Sequence, residues 1–557
     1  MGALAGQGMK QSRIPTSPAS IVRMVRAVGP ISPMRPLLSA LSLLAVVLVA
    51  PAPASAYVAL MAGQRARPLQ GQFNTVPVLH SNQPEEVLGP GILVNTMPGW
   101  GIAAETNQSL ANATYTFNGE FGLHVHHKYY PQNRSRIVGS NGRRGELTLA
   151  TILINPSAQP VHIRFERGAV RNSFEAPYLA TNLMGVKPLG PRPWNTGPGD
   201  ATAIQMLRGK LDPRLSDEIT IPAGSRVVLF RTKLPAKGIA NALLRGRSDG
   251  PFQMAVVAAE DPMGDADVFA VLDRGQLAPG RIYLKRVSQI EDGTVFSRVA
   301  GVALGDAYSA SLQHDLSQAP LHVPLTSTHR HNFGTGEVQV NSLASRMLDS
   351  SINNVGTYGV RFDLDLQLQG SGPYLLVLSH PSANGRTFTA FRGSIGIQTD
   401  EGYREVHVGM RSGQSLPIAA LNLKPGQDNL VKVSLVYPAD ATPGHLLSVV
   451  PEQQMAQLQQ REQQLAAAQI LAASRTAMPT IDPPGLDADP GPPQVVASQP
   501  SRPAIRPLPG WREQLHLLPP PMAPETNGAT RMSQGLMERY QQAVEAQKLF
   551  IRSLTGR

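Results

Sequence analysis

From about residue 65 to residue 450 the apolar positions recur with a period of two, the spacing of strands whose successive side chains point to opposite faces. Val360–Gln369 is the clearest case. Val360, Phe362, Leu364, Leu366 and Leu368 fall on one face and Arg361, Asp363, Asp365, Gln367 and Gln369 on the other, which predicts one buried and one wet face. The same reading predicts strands over Leu147–Ile154, Val161–Glu166, Arg226–Thr232, Gln253–Ala258, Ile282–Val287, Val295–Ala303, Tyr374–Leu378, Thr387–Gln398, Tyr403–Val408 and Leu430–Tyr437. Asp292-Gly293 and Asn384-Gly385 sit between such runs and favour the positive-φ turns that close antiparallel hairpins. Helices are scarce here. Asp200 can cap one over Ala201–Arg208 that Gly209 ends, and Asp265 with Gly275 brackets another around Val268–Leu272; both read as connections within a β protein.

The pattern changes after Val450. Glu452–Ser474 is rich in Gln, Ala and Leu and lacks Gly and Pro, but Met455, Leu458, Leu465 and Leu471 form only a thin stripe, as in a free helix or a weak coiled-coil segment. Residues 479–524 hold fourteen prolines and few large apolar residues, too little to build a core, and read as a disordered linker. Ser533–Leu554 returns to helical spacing. Leu536, Met537, Tyr540, Val544 and Leu549 share one face beside Arg539, Lys548 and Arg552, a stripe suited to a partner groove, to a peripheral membrane contact, or to folding back on the β region.

At the other end, Arg35 precedes an apolar run from Leu37 to Val49, Pro51 and Pro53 break it, and Ala54-Ser55-Ala56 supplies a small-x-small cleavage pattern. This reads as a secretory signal peptide with the mature chain starting at Tyr57. Its apolar run of about 13 residues is well short of the roughly 20 that span a bilayer. The basic leader before Met34 is long for such a peptide, so Met24 or Met34 stands as an alternative start. No later stretch reaches bilayer length, so no transmembrane helix is expected in the mature chain.

The organisation that follows is a signal peptide with an over-long leader over 1–56, a β-rich domain over 57–310, a β-sandwich domain over 311–450, a helix over 451–475, a proline-rich disordered linker over 476–530 and an amphipathic helix over 531–557. The expected fold class is mainly β: tandem antiparallel β-sandwich-like domains. With no cysteine in the sequence, export has to be survived by packing alone, and thiol chemistry and Cys-ligated metals are excluded. Removing Lys10, Arg13, Arg23, Arg26 and Arg35 with the leader leaves 45 basic against 39 acidic residues. That surplus is no nucleic-acid signature; it permits attraction to anionic envelope polymers or headgroups.

Collinear segments resemble a known family. They are Arg67-Pro68-Leu69-Gln70-Gly71, Val76-Pro77-Val78, Ser81-Asn82-Gln83-Pro84-Glu85, Phe117-Asn118-Gly119-Glu120-Phe121, Arg298-Val299-Ala300-Gly301-Val302-Ala303, Thr328-His329-Arg330 and Tyr437-Pro438-Ala439-Asp440-Ala441-Thr442-Pro443. Over roughly 65–450 the chain is similar to an uncharacterised exported cyanobacterial family catalogued as domain of unknown function 3370. The resemblance implies a photosynthetic bacterial source and an envelope location, and it supplies no catalytic residues.

Histidines are the only concentrated chemistry. His124 and His126 fall on the same face of a strand, where two imidazoles about 7 Å apart can share one Zn²⁺ or Cu²⁺, and His329 and His331 repeat the spacing. If the fold joins the pairs, four imidazoles can surround one ion; the same pattern also fits a surface strand whose histidines only hydrogen-bond. It is not a cupin signature, since the next Glu after His126 is Glu146. No G-x-S-x-G elbow, H-E-x-x-H helix or phosphate loop occurs, and Asp363 and Asp365 read as solvated charges before they read as an acid–base pair. For carbohydrate, the aromatic candidates are Trp100, Tyr129, Tyr130 and Trp194. The leading expectation is a non-enzymatic envelope protein binding a surface polysaccharide or a protein partner; the runner-up is a His-ligated metalloprotein. Mass spectrometry of the mature N-terminus is expected to find Tyr57 first, and peptides crossing Ala56-Tyr57 in most molecules would contradict the signal-peptide reading.

Overall fold

The structure, a computed structural model, describes residues 60–61, 64–82, 87–137, 145–178, 184–190, 196–381, 388–439 and 441–476. The segments read from the sequence as a signal peptide, a proline-rich linker and a terminal helix, together with Trp194 and Asn384-Gly385, lie outside them. Among the described residues the fold is mainly β, in four antiparallel-rich sheets. Sheet I runs, in spatial order, Glu218–Ile221, Val161–Asn172, Ile239–Ser248, Glu120–Lys128, Pro77–Asn82, Val299–Leu304, Leu343–Arg346. Sheet II runs Arg226–Pro235, Glu146–Ile154, Gln253–Ala259, Gly91–Asn95, Gln276–Leu277, Trp100–Ala103, Ser109–Ala111. Leu79, Leu123, Val125, Leu244 and Val302 of sheet I share one buried core with Ile92, Val94, Leu149, Ile152 and Val256 of sheet II.

Sheet III runs Gln72–Phe73, Ala307–Asp315, Arg361–Gln369, Asn429–Val436, Thr389–Thr399, Gly402–Arg411, Gly185–Pro188, and sheet IV runs Leu321–Leu325, His445–Pro451, Gly372–Ser379, Ser415–Leu423. Their facing side chains, among them Phe362, Leu364, Leu366, Ile395 and Val433 against Leu376, Leu378, Leu421 and Leu447, form the second core. The two sandwiches exchange edges. Gln72–Phe73 and Gly185–Pro188 close the two ends of sheet III, while Leu343–Arg346 closes sheet I.

Most alternating segments form the strands their pattern predicts, and Arg361–Gln369 buries every second residue along its length. Ile282–Val287 does not. It folds as a 3₁₀ turn over Ile282–Arg286 followed by a helix, so Asp292-Gly293 ends that helix, with Gly293 at φ 66°, instead of turning a hairpin. A positive-φ glycine serves both jobs, and a six-residue segment with Ile282, Tyr283, Leu284 and Val287 is too short to separate the periods. The predicted Val295–Ala303 strand is confined to Val299–Leu304. Helix α1 spans Pro198–Leu207, with Asp200 inside its first turn and Gly197 before it, and α2 spans Asp265–Asp273. In order, α3 is Val287–Glu291 and α4 is Glu452–Thr476. The start of α4 is not free: Met455 and Leu458 pack with Leu60, Val377 and Val450, and the Gln454 side-chain amide donates to the Leu60 carbonyl at 2.7 Å.

A buried ion cluster fastens the exchanged segment to the first sandwich. Arg281 Nη1 donates to both oxygens of Asp349 at 2.9 and 3.1 Å, Arg298 Nε lies 3.1 Å from the same carboxylate, and Arg281 Nη2 reaches the Leu93 carbonyl at 3.0 Å. All three side chains are at most 2% exposed. Burial pushes the Asp349 carboxyl up, but Arg298 and Arg281 outweigh it and hold it below the ordinary carboxylate value. Asp349→Ala leaves two buried guanidiniums without their counter-charge, so it is expected to cost about 3–5 kcal/mol in urea unfolding. An unchanged midpoint would contradict this role.

Candidate functional site

The Glu120–Lys128 strand is central in its sheet, with Pro77–Asn82 parallel along one edge and Ile239–Ser248 antiparallel along the other, and Phe121–His127 are buried on both faces. That register sets His124 beside His80 and puts His126 between Asn82 and Asn241. The Nδ1 atoms of His80 and His124 are 3.2 Å apart, so one donates to the other. His126 Nδ1 meets Asn241 Oδ1 at 2.8 Å, and the Asn241 amide donates to Thr202 of α1. His127 faces the opposite side, with Nε2 2.8 Å from Ser81 Oγ. Gly359 closes over His124 so tightly that a Cβ there would lie 3.3 Å from the ring's Cγ.

His329 and His331 are exposed on the loop between Leu321–Leu325 and Leu343–Arg346. His329, with Arg330, Phe296 and Ile352, lines a cleft of about 430 Å³. The four predicted imidazoles are therefore not gathered: one pair is interior and one is on a surface loop. Among the described residues no group of three or more His, Asp or Glu side chains is placed to hold a metal ion. His80 escaped the sequence reading, because it is isolated along the chain and only the parallel register brings it to His124.

The aromatic candidates are also dispersed. Tyr129 is buried in the first core and cannot serve as a platform. Tyr130 is half-buried with Lys128 Nζ 4.8 Å from its ring centroid. Trp100 is 68% exposed on a strand near the sheet edge, and Ile102 two residues on is exposed with it.

A cleft of about 890 Å³ crosses the solvent face of sheet I. Strand alternation turns His162, Arg164 and Glu166 outward, Glu218 and Thr220 flank them on the edge strand, and Arg247 sits directly opposite Arg164. Leu211 and Asp217 form one wall; the chain there is pinned by Asp212, which takes ion pairs from Arg171 and Arg214. The neighbouring charges are engaged. His162 Nδ1 lies 2.8 Å from Asp249, and Arg245 holds Glu120 at 2.9 Å together with Asp306. Arg164 and Arg247 are both exposed and form no ion pair among the described residues, although Glu218 stands in register opposite Arg164 on the edge strand. Like charges directly across a strand pair repel, and an anion bridging them removes that repulsion. The sequence reading placed the first of them on a strand but had no means of pairing it with the second.

The buried imidazoles impose a pH dependence. Burial brings His80 down to about 3 and His322 to about 4, and holds His124, His127 and His445 well below the usual value. A histidine depressed in this way contributes stability that is whole above its unfolded value of 6.5 and is lost as the pH falls toward the folded value. For His80 the window is 6.5 to about 3. Urea unfolding at stepped pH is expected to lose on the order of a few kcal/mol between neutrality and about pH 4; a flat profile across that range would contradict the neutral, buried assignment.

No curated protein matches the chain. Among solved structures, a Trp-to-Tyr variant of oxalate decarboxylase from Bacillus subtilis aligns over 68% of this chain and 80% of that one, at 10% identity and a TM-score of 0.11. A Trp-to-Phe variant of the same enzyme aligns over the same shares at 10% identity and 0.10. Scores this low carry no argument about fold or chemistry. The family described as Protein of unknown function (DUF3370) matches residues 64–451, which include both sandwiches and the groove, and the chain belongs to that family.

Proposed function

We propose that this protein is an exported, non-enzymatic protein of the cell envelope that holds an anionic surface polymer in the groove on sheet I. The observation that carries the reading is the cross-strand pair Arg164 and Arg247: two exposed guanidiniums on adjacent strands, neither in an ion pair among the described residues, in the floor of a cleft of about 890 Å³. A guanidinium is always charged and presents a planar fork that matches a carboxylate or sulfate. Setting two of them side by side suits a chain with repeated acidic groups. The groove is an open channel across three strands and not an enclosed cavity, which fits a polymer running through. Glu218 and Thr220 beside the arginines give a hydrogen-bond acceptor and a hydroxyl for the neutral parts of the repeat, while Glu166 is paired with Arg245.

Calorimetric titration of the mature protein with hexagalacturonate tests the reading. Binding is expected at low salt and is expected to weaken steeply as ionic strength rises. The double variant Arg164→Ala, Arg247→Ala is expected to lose on the order of a hundredfold in affinity, from two charge-assisted contacts of about 1.5–3 kcal/mol each, discounted for exposure. Equal affinity in the parent and the double variant would refute the site.

A further inference from the structure

The other sandwich carries a cleft of different chemistry. It lies on the solvent face of sheet III and has a volume of about 430 Å³. Ala307–Asp315 and Arg361–Gln369 run parallel and in register there, which sets Gln313 beside Gln367 and Asp315 beside Gln369. Arg67, His314, Gln318 and Asp428 complete the lining, so every lining residue is polar. Further along the same face the outward residues are closed off in ion pairs, Arg361 with Asp363 at 2.6 Å and Lys432 with Asp365 at 3.2 Å. At the cleft they give way to amides.

Those amides are held in fixed orientations. Gln313 Nε2 donates to Gln367 Oε1 at 2.7 Å, and Gln369 Nε2 donates to Asp428 Oδ1 at 3.0 Å. Gln318 Nε2 donates to Asp315 Oδ2 at 3.0 Å. Arg67 Nη1 donates to the Gln313 carbonyl at 2.8 Å and stands 3.5 Å from His314 Nδ1. His314 Nε2 lies 2.8 Å from the Ala319 carbonyl, which can only accept, so the proton sits on Nε2 and Nδ1 offers its lone pair to Arg67.

Each pairing uses half of an amide and leaves the other half open. Gln313 keeps its Oε1, Gln367 its NH₂, Gln369 its Oε1 and Asp428 its second oxygen. The result is an interleaved set of acceptors and donors. A hydroxyl both donates and accepts, so adjacent hydroxyls on a sugar ring satisfy such a set pair by pair. An apolar ligand would strip water from these groups without replacing their hydrogen bonds. An anion would meet Asp315 and Asp428 with Arg67 as the one lining cation.

We infer that this cleft is a second binding site, for an uncharged sugar unit of a polysaccharide. It stands independently of the groove on sheet I, whose arginines select for charge. The test is titration of the full mature protein with maltohexaose, cellohexaose, mannohexaose and chitohexaose, followed by ligand-observed NMR. At least one neutral hexamer is expected to bind. Gln367→Leu and Gln369→Leu are each expected to weaken it about tenfold, the loss of one hydrogen bond that the parent makes to ligand. The double variant Arg164→Ala, Arg247→Ala is expected to bind it as the parent does, and Gln367→Leu to retain hexagalacturonate binding, so the two sites fail separately. Unchanged melting of the Leu variants excludes unfolding as the cause. If either melts early, Gln367→Glu, which removes the donor at constant size, replaces it. Failure of all four hexamers to bind, or equal binding by parent and variants, overturns the inference.

Discussion

Helix α1 is buried on nearly every side, and the placement of both sandwiches runs through it. Nine of its ten residues are buried, which in so short a helix requires partners all round. Toward the first sandwich, Thr202 takes the Asn241 amide that also meets His126. Toward the second, the Asp200 carboxylate accepts from Ser394 Oγ at 3.2 Å and His407 Nδ1 at 3.1 Å. Ala203, Met206 and Leu207 fill the space between Leu243 and Val436, and Arg208 beyond the helix grips Glu405 at 2.6 Å. A carboxylate this deep is tolerated only because it is hydrogen-bonded. The chain leaving α1 becomes the Leu211–Asp217 wall of the groove, so the helix that joins the sandwiches also sets the shape of the candidate site.

The exchanged edges reinforce that union. Gln72–Phe73 and Gly185–Pro188 are committed to sheet III although the strands around them build sheets I and II, and Leu343–Arg346 returns from the second half to sheet I. The Arg281–Asp349–Arg298 cluster holds that returning segment through a buried carboxylate shared by two guanidiniums, and removing one partner would leave the remaining charge buried and uncompensated. What remains for ligands is the outer faces. On each, strand alternation makes a row of outward side chains, and register decides which rows meet: arginine beside arginine on sheet I, glutamine beside glutamine on sheet III.

The legible part of this fold was the half-buried part. Arg361–Gln369 and Val161–Glu166 alternate because one face is wet, and their outward residues follow from period two alone, whereas the continuation to Asn172 is buried throughout from Gly168 and was not read. Gly91–Asn95 and Leu321–Leu325 are buried at every position, carry no alternation, and went unread. Helix α1 was visible as a helix but not as a keystone, since Ala201, Ala203, Ile204, Met206 and Leu207 wrap around it without leaving a polar face to say that it is covered. The His124 and His126 spacing correctly put both rings on one face, yet a local pattern does not reveal that a face is roofed by Gly359 and α1. Tyr129 misled for the same reason. The Arg164–Arg247 pair is a product of long-range register, which period-two reasoning does not supply.

The claim on which the functional account rests is that the groove on sheet I takes an acidic polymer through that pair. A crystal structure of the protein with hexagalacturonate tests it most directly. The account predicts carboxylates of the ligand on the guanidiniums of Arg164 and Arg247, with the chain running across the three strands between Leu211 and Arg247. Ligand seated elsewhere, with both guanidiniums left to solvent, would contradict it.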